Sequence, residues 1–120
     1  MPGIAPLKLT IRPVPLSSTT AYVSWTTPSL IYHNGIIRGY RLKYFLVDQP
    51  QNVIVIDAGN KTQILLQNLQ TLQNYSVQVA AYNSIGIGPY SRAIIYQSHE
   101  SGKIQLQLNK VNYKFYNYIN

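Results

Sequence analysis

A chain of 120 residues can form one hydrophobic core, and an apolar fraction of 46% is typical of a folded protein rather than a disordered one. The chain has no cysteine, which excludes disulfides and thiolate metal sites, and its net charge is +7. Eleven tyrosines, seven glycines and seven prolines favour strands and turns over helices.

The first strands are predicted by alternation of apolar and polar residues. Residues 7–11 alternate, and Pro13 ends this run because proline cannot donate to a ladder, which predicts an edge strand. Thr20–Thr26 forms a second strand, in which Trp25 is the largest expected core residue. A loop then leads to Asn34-Gly35, a dipeptide typical of a turn.

The middle of the chain repeats this pattern of short strands and turns. Residues 40–45 alternate around the inward-facing Tyr40 and predict a third strand. Val53–Ile56 begins a fourth, the sequence Asp57-Ala58-Gly59-Asn60 is typical of a turn, and Thr62–Leu66 leads onward.

A long alternating run follows the two leucines Leu66 and Leu69, which we place in the core. It begins at Tyr75 and predicts a half-buried strand. A tyrosine at the start of such a strand predicts a corner, in which the ring is buried and the hydroxyl bonds a backbone group upstream. We expect that group to be a carbonyl near Leu69.

The end of the predicted domain contains a glycine-rich loop, Asn83–Pro89, and one last strand, Tyr90–Gln97. Seven short strands without a helical period predict an all-β fold, a seven-stranded antiparallel β-sandwich.

Several motifs in order resemble a fibronectin type III domain. These are Trp25 with Pro28, Asn34-Gly35-Ile36-Ile37-Arg38-Gly39-Tyr40-Arg41-Leu42-Lys43-Tyr44, the two leucines before Tyr75, Asn83-Ser84, and Gly86 with Gly88-Pro89-Tyr90-Ser91. The resemblance covers residues 5–98, leaving a lead at residues 1–4 and a low-complexity tail at residues 99–120. It implies sheets of three and four strands with Trp25, Tyr40 and Tyr75 in the core.

The chain departs from the family pattern at two places. The family often has proline and glycine before the corner tyrosine, where this chain has Thr71 and Leu72. Some members carry an integrin-binding Arg-Gly-Asp triplet in the loop that corresponds to Asn83–Pro89. This chain has Ile85-Gly86-Ile87-Gly88 there, so the resemblance does not imply integrin binding.

The sequence offers no catalytic or metal-binding constellation. Its acidic residues are Asp48, Asp57 and Glu100, and the first two are expected in turns. The histidines, His33 and His99, are placed in a loop and a linker without a third ligand. We therefore expect no enzyme activity, no metal and no cofactor.

Two surfaces are candidates for binding. Arg38, Arg41 and Lys43 are expected on one outward face, joined there by Arg92, and such a patch attracts sulfated, anionic glycans or acidic proteins. A solvated face that guards the sheet is the favoured alternative. No recognition element for nucleic acid accompanies the charge.

The second candidate surface is the pair Ile85 and Ile87 in the glycine-rich loop. These isoleucines either contact a partner or cap the core, and we favour the cap.

Two sequons favour an extracellular or cell-surface location. Asn60-Lys61-Thr62 and Asn74-Tyr75-Ser76 match the N-glycosylation pattern. The first residues lack a signal-peptide pattern and no apolar run is long enough to span a membrane, so we interpret the chain as a fragment that does not insert into a membrane.

Residues 103–120 of the tail match nothing in the family. Alternation at Ile104, Leu106 and Leu108 favours a strand, whereas low complexity favours disorder. Its residue types have AT-rich codons, which raises the hypothesis of translated noncoding sequence.

The expected function is protein–protein interaction, or spacing between neighbouring domains, in a multidomain cell-surface adhesion protein or receptor. Two alternatives are an intracellular structural module of the muscle type and an accessory domain of a larger enzyme such as a receptor phosphatase. A fold of this kind does not by itself decide among them.

Overall fold

The computed structural model describes residues 4–27 and 36–98. The predicted turn at Asn34-Gly35, both histidines, Glu100 and the tail lie outside these residues. The described part contains eight strands: β1 (Leu7–Pro13), β2 (Ala21–Thr26), β3 (Gly39–Leu46), β4 (Ile54–Gly59), β5 (Gln63–Leu66), β6 (Asn74–Tyr82), β7 (Ile87–Tyr90) and β8 (Ile94–Gln97).

These strands form two antiparallel sheets. One has the order β1-β2-β5, and the other has the order β4-β3-β6-β7 with β8 also paired to β6. The predicted antiparallel sandwich is confirmed, although it has eight strands rather than seven.

The extra strand arises where the sequence indicated one loop and one final strand. β7 begins inside the predicted loop and β8 follows after a break at residues 91–93, and both pair with β6. Ser91 occupies the break: its N–H donates to the Val79 carbonyl (2.8 Å) and its Oγ accepts the Val79 N–H (3.0 Å). A side-chain oxygen here replaces a ladder carbonyl, so both backbone groups of Val79 stay bonded where the partner of β6 changes from β7 to β8.

The core lies between the sheets and is built from the inward residues of β2, β3 and β6, together with Leu66 of β5 and Leu69 of the β5–β6 connection. Trp25 and Tyr40 pack edge to face with ring centroids 5.5 Å apart. The structure buries all five residues that the sequence placed in the core: Trp25, Tyr40, Leu66, Leu69 and Tyr75.

The prediction of a half-buried β6 is wrong. Ser76 and Ala80, on its outward side, are buried as well. β6 is the central strand, with β3 on one side and β7 and β8 on the other, and larger residues flank these small ones. Ala80, for example, is paired with Arg41 and with Tyr90.

The Tyr75 ring is buried and its hydroxyl bonds the backbone upstream, but the partner differs from the expected carbonyl. The Gln70 N–H donates to the Tyr75 hydroxyl oxygen at 2.7 Å. The neighbouring Leu69 N–H donates to the Thr19 carbonyl at 2.9 Å, so the β5–β6 connection is bonded to the β1–β2 connection.

The strands run between the two ends of the sandwich, which we call the N-terminal pole and the C-terminal pole. At the N-terminal pole, β1 begins, β2 ends, and residues 36–38, 60–62 and 83–86 connect strands. At the C-terminal pole, β8 ends, and residues 14–20, 47–53 and 67–73 connect strands. The N–H of Ser98 donates to the Gln73 carbonyl at 2.9 Å, which places the end of the described chain at the C-terminal pole.

Candidate recognition surface

The outward face of the five-stranded sheet brings together two cations, two tyrosines and a carboxylate. Arg41 and Lys43 lie on β3, Asp57 on β4, Tyr82 on β6 and Tyr90 on β7. They share this face because Tyr40, Leu42 and Tyr44 on β3 point into the core, and successive strand residues alternate sides. We call these five residues the tyrosine–cation face.

Each cation stacks on a tyrosine ring. The guanidinium carbon of Arg41 lies 5.0 Å from the centroid of the Tyr82 ring, and Nζ of Lys43 lies 4.1 Å from that of Tyr90. Such contacts contribute about 0.5–1 kcal/mol at exposed positions. They hold both cations in defined positions above the sheet.

A hydrogen bond crosses β3 to hold Tyr82. Its hydroxyl donates to both carboxylate oxygens of Asp57, at 2.9 and 3.1 Å. The ring reaches across because Gly39 lies beneath it: a Cβ on Gly39 would lie 2.5 Å from the Tyr82 hydroxyl oxygen and 2.8 Å from the Gly59 carbonyl oxygen. The tyrosine–cation face therefore requires glycine at position 39, since any side chain there would collide with Tyr82.

Asp57 lies within β4, so the predicted turn at residues 57–60 begins later than expected. Tyr40 pairs with Gly59 and Arg41 pairs with Asp57, which leaves Ala58 as the extra residue of a β-bulge. Gly59 has a φ of 60°, in the region that favours glycine, and its N–H donates to Asp57 Oδ1 at 2.8 Å. The bulge thus directs the carboxylate toward Tyr82.

The charges on this face are coupled. The hydrogen bond from the Gly59 N–H, then that from Tyr82 and the nearby Arg41 charge, lower the pKa of Asp57 below its usual value. The hydrogen bond to Asp57 is the main cause that raises the pKa of the Tyr82 hydroxyl. Asp57 is therefore ionised, and Tyr82 neutral, at neutral pH.

Residues 5–97 match the family model of the fibronectin type III domain. The chain belongs to the fibronectin type III family.

Similar proteins include a sidekick protein and a cell adhesion molecule. Protein sidekick-2 of Mus musculus is 36% identical over 77 residues, which are 60% of this chain and 3% of that protein. Cell adhesion molecule DSCAM of Gallus gallus is 37% identical over 86 residues, 68% of this chain and 4% of that protein. This fibronectin type III chain thus spans a small fraction of the relatives it matches.

Solved structures agree with the fold. The third fibronectin III domain of human KIAA0343 protein aligns with a TM-score of 0.74 at 25% identity, covering 84% of this chain and 86% of that one. The FN1–FN3 domains of chicken CNTN1 align with a TM-score of 0.70 at 26% identity, covering 82% of this chain and 31% of that one.

The fibronectin type III framework brings only part of the predicted basic patch together. Arg41 and Lys43 share the tyrosine–cation face. Arg38 lies before β3, where its N–H donates to the Tyr82 carbonyl at 2.8 Å and its side chain is exposed. Arg92 is exposed in the break between β7 and β8.

The two isoleucines of the predicted loop lie in different surroundings. Ile85 is exposed in the β6–β7 turn and is absent from the core. Ile87 is half-buried in β7 opposite Tyr82. The capping role that we favoured for the pair therefore does not fit Ile85.

Sequence reasoning missed Tyr82, Tyr90 and Asp57 as members of a surface. Tyr82 continues the outward series of β6, which is a usable signal. Its partners, however, depend on the bulge in β4 and on the register between β6 and β7, and neither is visible in one sequence.

Both sequon asparagines are exposed. Asn60 follows β4 at the N-terminal pole, and Asn74 begins β6 at the C-terminal pole. Within residues 4–27 and 36–98, no group of three potential metal ligands occurs. The same part of the chain contains no helix long and apolar enough to cross a membrane.

Proposed function

We infer that this chain is a non-catalytic recognition module of a cell-surface adhesion protein, and that the tyrosine–cation face contacts its protein partner. The similarity to sidekick and DSCAM proteins supports the class of function. The observation that carries the choice of surface is the stacking of both Arg41 and Lys43 on tyrosine rings.

Such a face suits protein recognition for two reasons. Tyrosine and arginine are enriched among residues that dominate binding energy at interfaces. Binding also orders long side chains at a cost of about 0.5–1.5 kcal/mol each, and stacking before binding lowers that cost. Tyr82 is also held in place before binding, because its hydroxyl donates a hydrogen bond to the Asp57 carboxylate.

The chemistry of the acidic residues supports a non-catalytic role. Both oxygens of Asp57 already accept a hydrogen bond from Tyr82, and Oδ1 also accepts one from the Gly59 N–H. Its lowered pKa makes it a weak base near neutral pH. Asp48 is exposed in the turn that follows β3.

A cell-binding experiment tests the surface. Fluorescent multimers of the full chain are applied to intact cultured cells, and the double variant Arg41→Ser, Lys43→Ser should lose at least about tenfold in bound signal. The matched control is Lys8→Ser, Arg12→Ser, which removes the same charge. Arg12 also stacks on a tyrosine, Tyr22, but on the other sheet.

Equal loss in both double variants would assign the binding to net charge. Unchanged binding in the Arg41, Lys43 variant would remove the face from the interaction. The proposed surface requires a loss confined to that variant.

Anionic glycans are a second candidate partner, favoured by the placement of Arg41 and Lys43 on one face. Heparin retention should fall with rising salt and should fall further for the Arg41, Lys43 variant than for the Lys8, Arg12 variant. Identical elution of the two variants would exclude a defined glycan surface here.

An extracellular location is testable through the sequons. After secretory expression, glycosidase treatment should reduce the mass of the chain, and Asn60→Gln and Asn74→Gln should each remove part of that shift. Ser76 of the second sequon is buried, so glycan addition at Asn74 must precede folding. The absence of any mass shift would favour the intracellular structural alternative.

A further inference from the structure

The C-terminal pole exposes two leucines in a strained backbone conformation. Leu16 is 66% exposed with a φ of 63°, and Leu72 is 55% exposed with a φ of 56°. This left-handed region favours glycine, because the Cβ of another residue approaches the following carbonyl oxygen. Neither leucine belongs to the core or packs against it. Burial within the domain therefore does not offset the strain.

The opposite pole exposes two isoleucines. Ile36 is 79% exposed and Ile85 is 76% exposed. The turn that carries Ile85 is fixed by Asn83, whose Oδ1 accepts the N–H groups of Ile85 and Gly86 at 2.9 and 3.1 Å. A defined turn thus holds an apolar side chain in water.

The two poles also differ in charge. Asp48 is the one charged residue in the three connections of the C-terminal pole, residues 14–20, 47–53 and 67–73. The exposed cations Arg38 and Lys61 lie in connections of the N-terminal pole. The poles are therefore complementary both in apolar residues and in the sign of their charge.

We propose that the C-terminal pole of one copy of this chain docks on the N-terminal pole of a second copy, head to tail. Leu16 and Leu72 would pack against Ile36 and Ile85, with Asp48 near Arg38. The contact is heterologous, since two different surfaces meet, and it leaves the tyrosine–cation face free. One pole is a small area, so the association is weak and becomes effective where many copies are held together.

Sedimentation velocity of the full chain over a range of concentrations tests the proposal. The sedimentation coefficient should rise with concentration, and this rise should diminish at high salt. The variant Leu16→Gly, Leu72→Gly blocks one pole, and Ile36→Ser, Ile85→Ser blocks the other. Each should weaken self-association at least about tenfold, since each removes two apolar side chains from the contact.

Mixing the two blocked variants distinguishes head-to-tail contact from symmetric contact. Each variant retains the pole that the other lacks, so an equal mixture should form dimers and nothing larger. The matched control is Val55→Thr, which changes an exposed aliphatic residue on the side of the domain and should associate as the wild type does.

A folding control accompanies the experiment. Glycine relieves the strain at both leucine positions, so the Leu16, Leu72 variant should melt no lower than the wild type. A loss of association then comes from the surface itself.

Three results would overturn the proposal. They are a sedimentation coefficient independent of concentration, association unaffected in both blocked variants, and a mixture of the two that stays monomeric.

Discussion

Tyr75 shows how a single hydroxyl group supports a connection between the sheets. It accepts the Gln70 N–H, next to the Leu69 N–H that bonds Thr19. Sequence reasoning found the tyrosine and the part of the backbone that it reaches. The sequence predicted a carbonyl partner instead of an N–H. A hydroxyl both donates and accepts, and the orientation of the nearby backbone, which the sequence does not reveal, decides between the two.

Replacing Tyr75 by phenylalanine should therefore destabilise the domain. The variant leaves the Gln70 N–H without its partner, at a cost of about 1–3 kcal/mol in the free energy of unfolding. The change in the free energy of unfolding is measured by urea denaturation, with Trp25 fluorescence as the signal. Tyr22→Phe, on the outer face of the three-stranded sheet, is the control and should change stability by less than about 0.5 kcal/mol.

Gly39 illustrates a residue whose importance is invisible without its neighbours. Gly39→Ala would place a methyl group against the Tyr82 hydroxyl and the Gly59 carbonyl oxygen, and we expect a loss of about 1–3 kcal/mol. A double-mutant cycle with Tyr82→Ala measures how much of this loss comes from the ring. A loss of the same size in both backgrounds would contradict the proposed collision with Tyr82.

Among the elements, β4 differs most from its sequence pattern. Asp57, Ala58 and Gly59 are turn-forming residue types, yet they end a strand, because a bulge accommodates the extra residue and the positive φ of Gly59. The Asp57 carboxylate consequently accepts hydrogen bonds from the Tyr82 hydroxyl on the sheet surface as well as from the nearby Gly59 N–H.

This placement predicts a dependence of stability on pH. Folding lowers the pKa of Asp57, so its contribution to stability is present above the ordinary aspartate pKa and is lost as the pH falls through the folded value. Urea midpoints of wild type and Asp57→Asn, compared from neutral pH to about pH 3, should converge in acid. A constant difference between the two proteins would show that protonation of Asp57 does not weaken the fold.

β7 and β8 show why the strand count differed. Gly86, Gly88 and Pro89 indicated a loop, and they would be unsuited to a central strand. β7 is an edge strand that pairs with β6 at only two positions. At an edge, proline is tolerated because its missing N–H does not remove a hydrogen bond from the ladder. Tertiary position, which periodicity does not report, decided between loop and strand.

At the scale of the whole molecule, alternation and the tyrosine corner were enough to predict two facing sheets and their core. The surfaces were harder to predict. Arg41 and Lys43 could be placed on one side of a strand, but their tyrosine partners come from β6 and β7, and their positions depend on register. The strained leucines at the C-terminal pole left no sequence signal beyond the departure at Leu72.

Ser98, which follows β8, bonds the end of the domain to the β5–β6 connection. Its Oγ donates to the Gln70 carbonyl at 2.5 Å and accepts the Gln73 N–H at 3.0 Å. Ser98→Ala should lower the free energy of unfolding by about 0.5–1.5 kcal/mol for each hydrogen bond lost, because the Gln70 carbonyl and the Gln73 N–H lose a partner. Hydrogen exchange at the Gln73 amide should accelerate, whereas the control Ser84→Ala, in the exposed β6–β7 turn, should leave it unchanged.

The opposite positions of the start of β1 and the end of β8 have a mechanical consequence. β1 enters the sandwich at one pole, and β8 leaves it at the other. Tension applied between Ile4 and Ser98 would act along the strands, so the ladder bonds between β1 and β2 would bear the load together in shear instead of opening one after another. A domain held in this way resists being pulled apart by its ends.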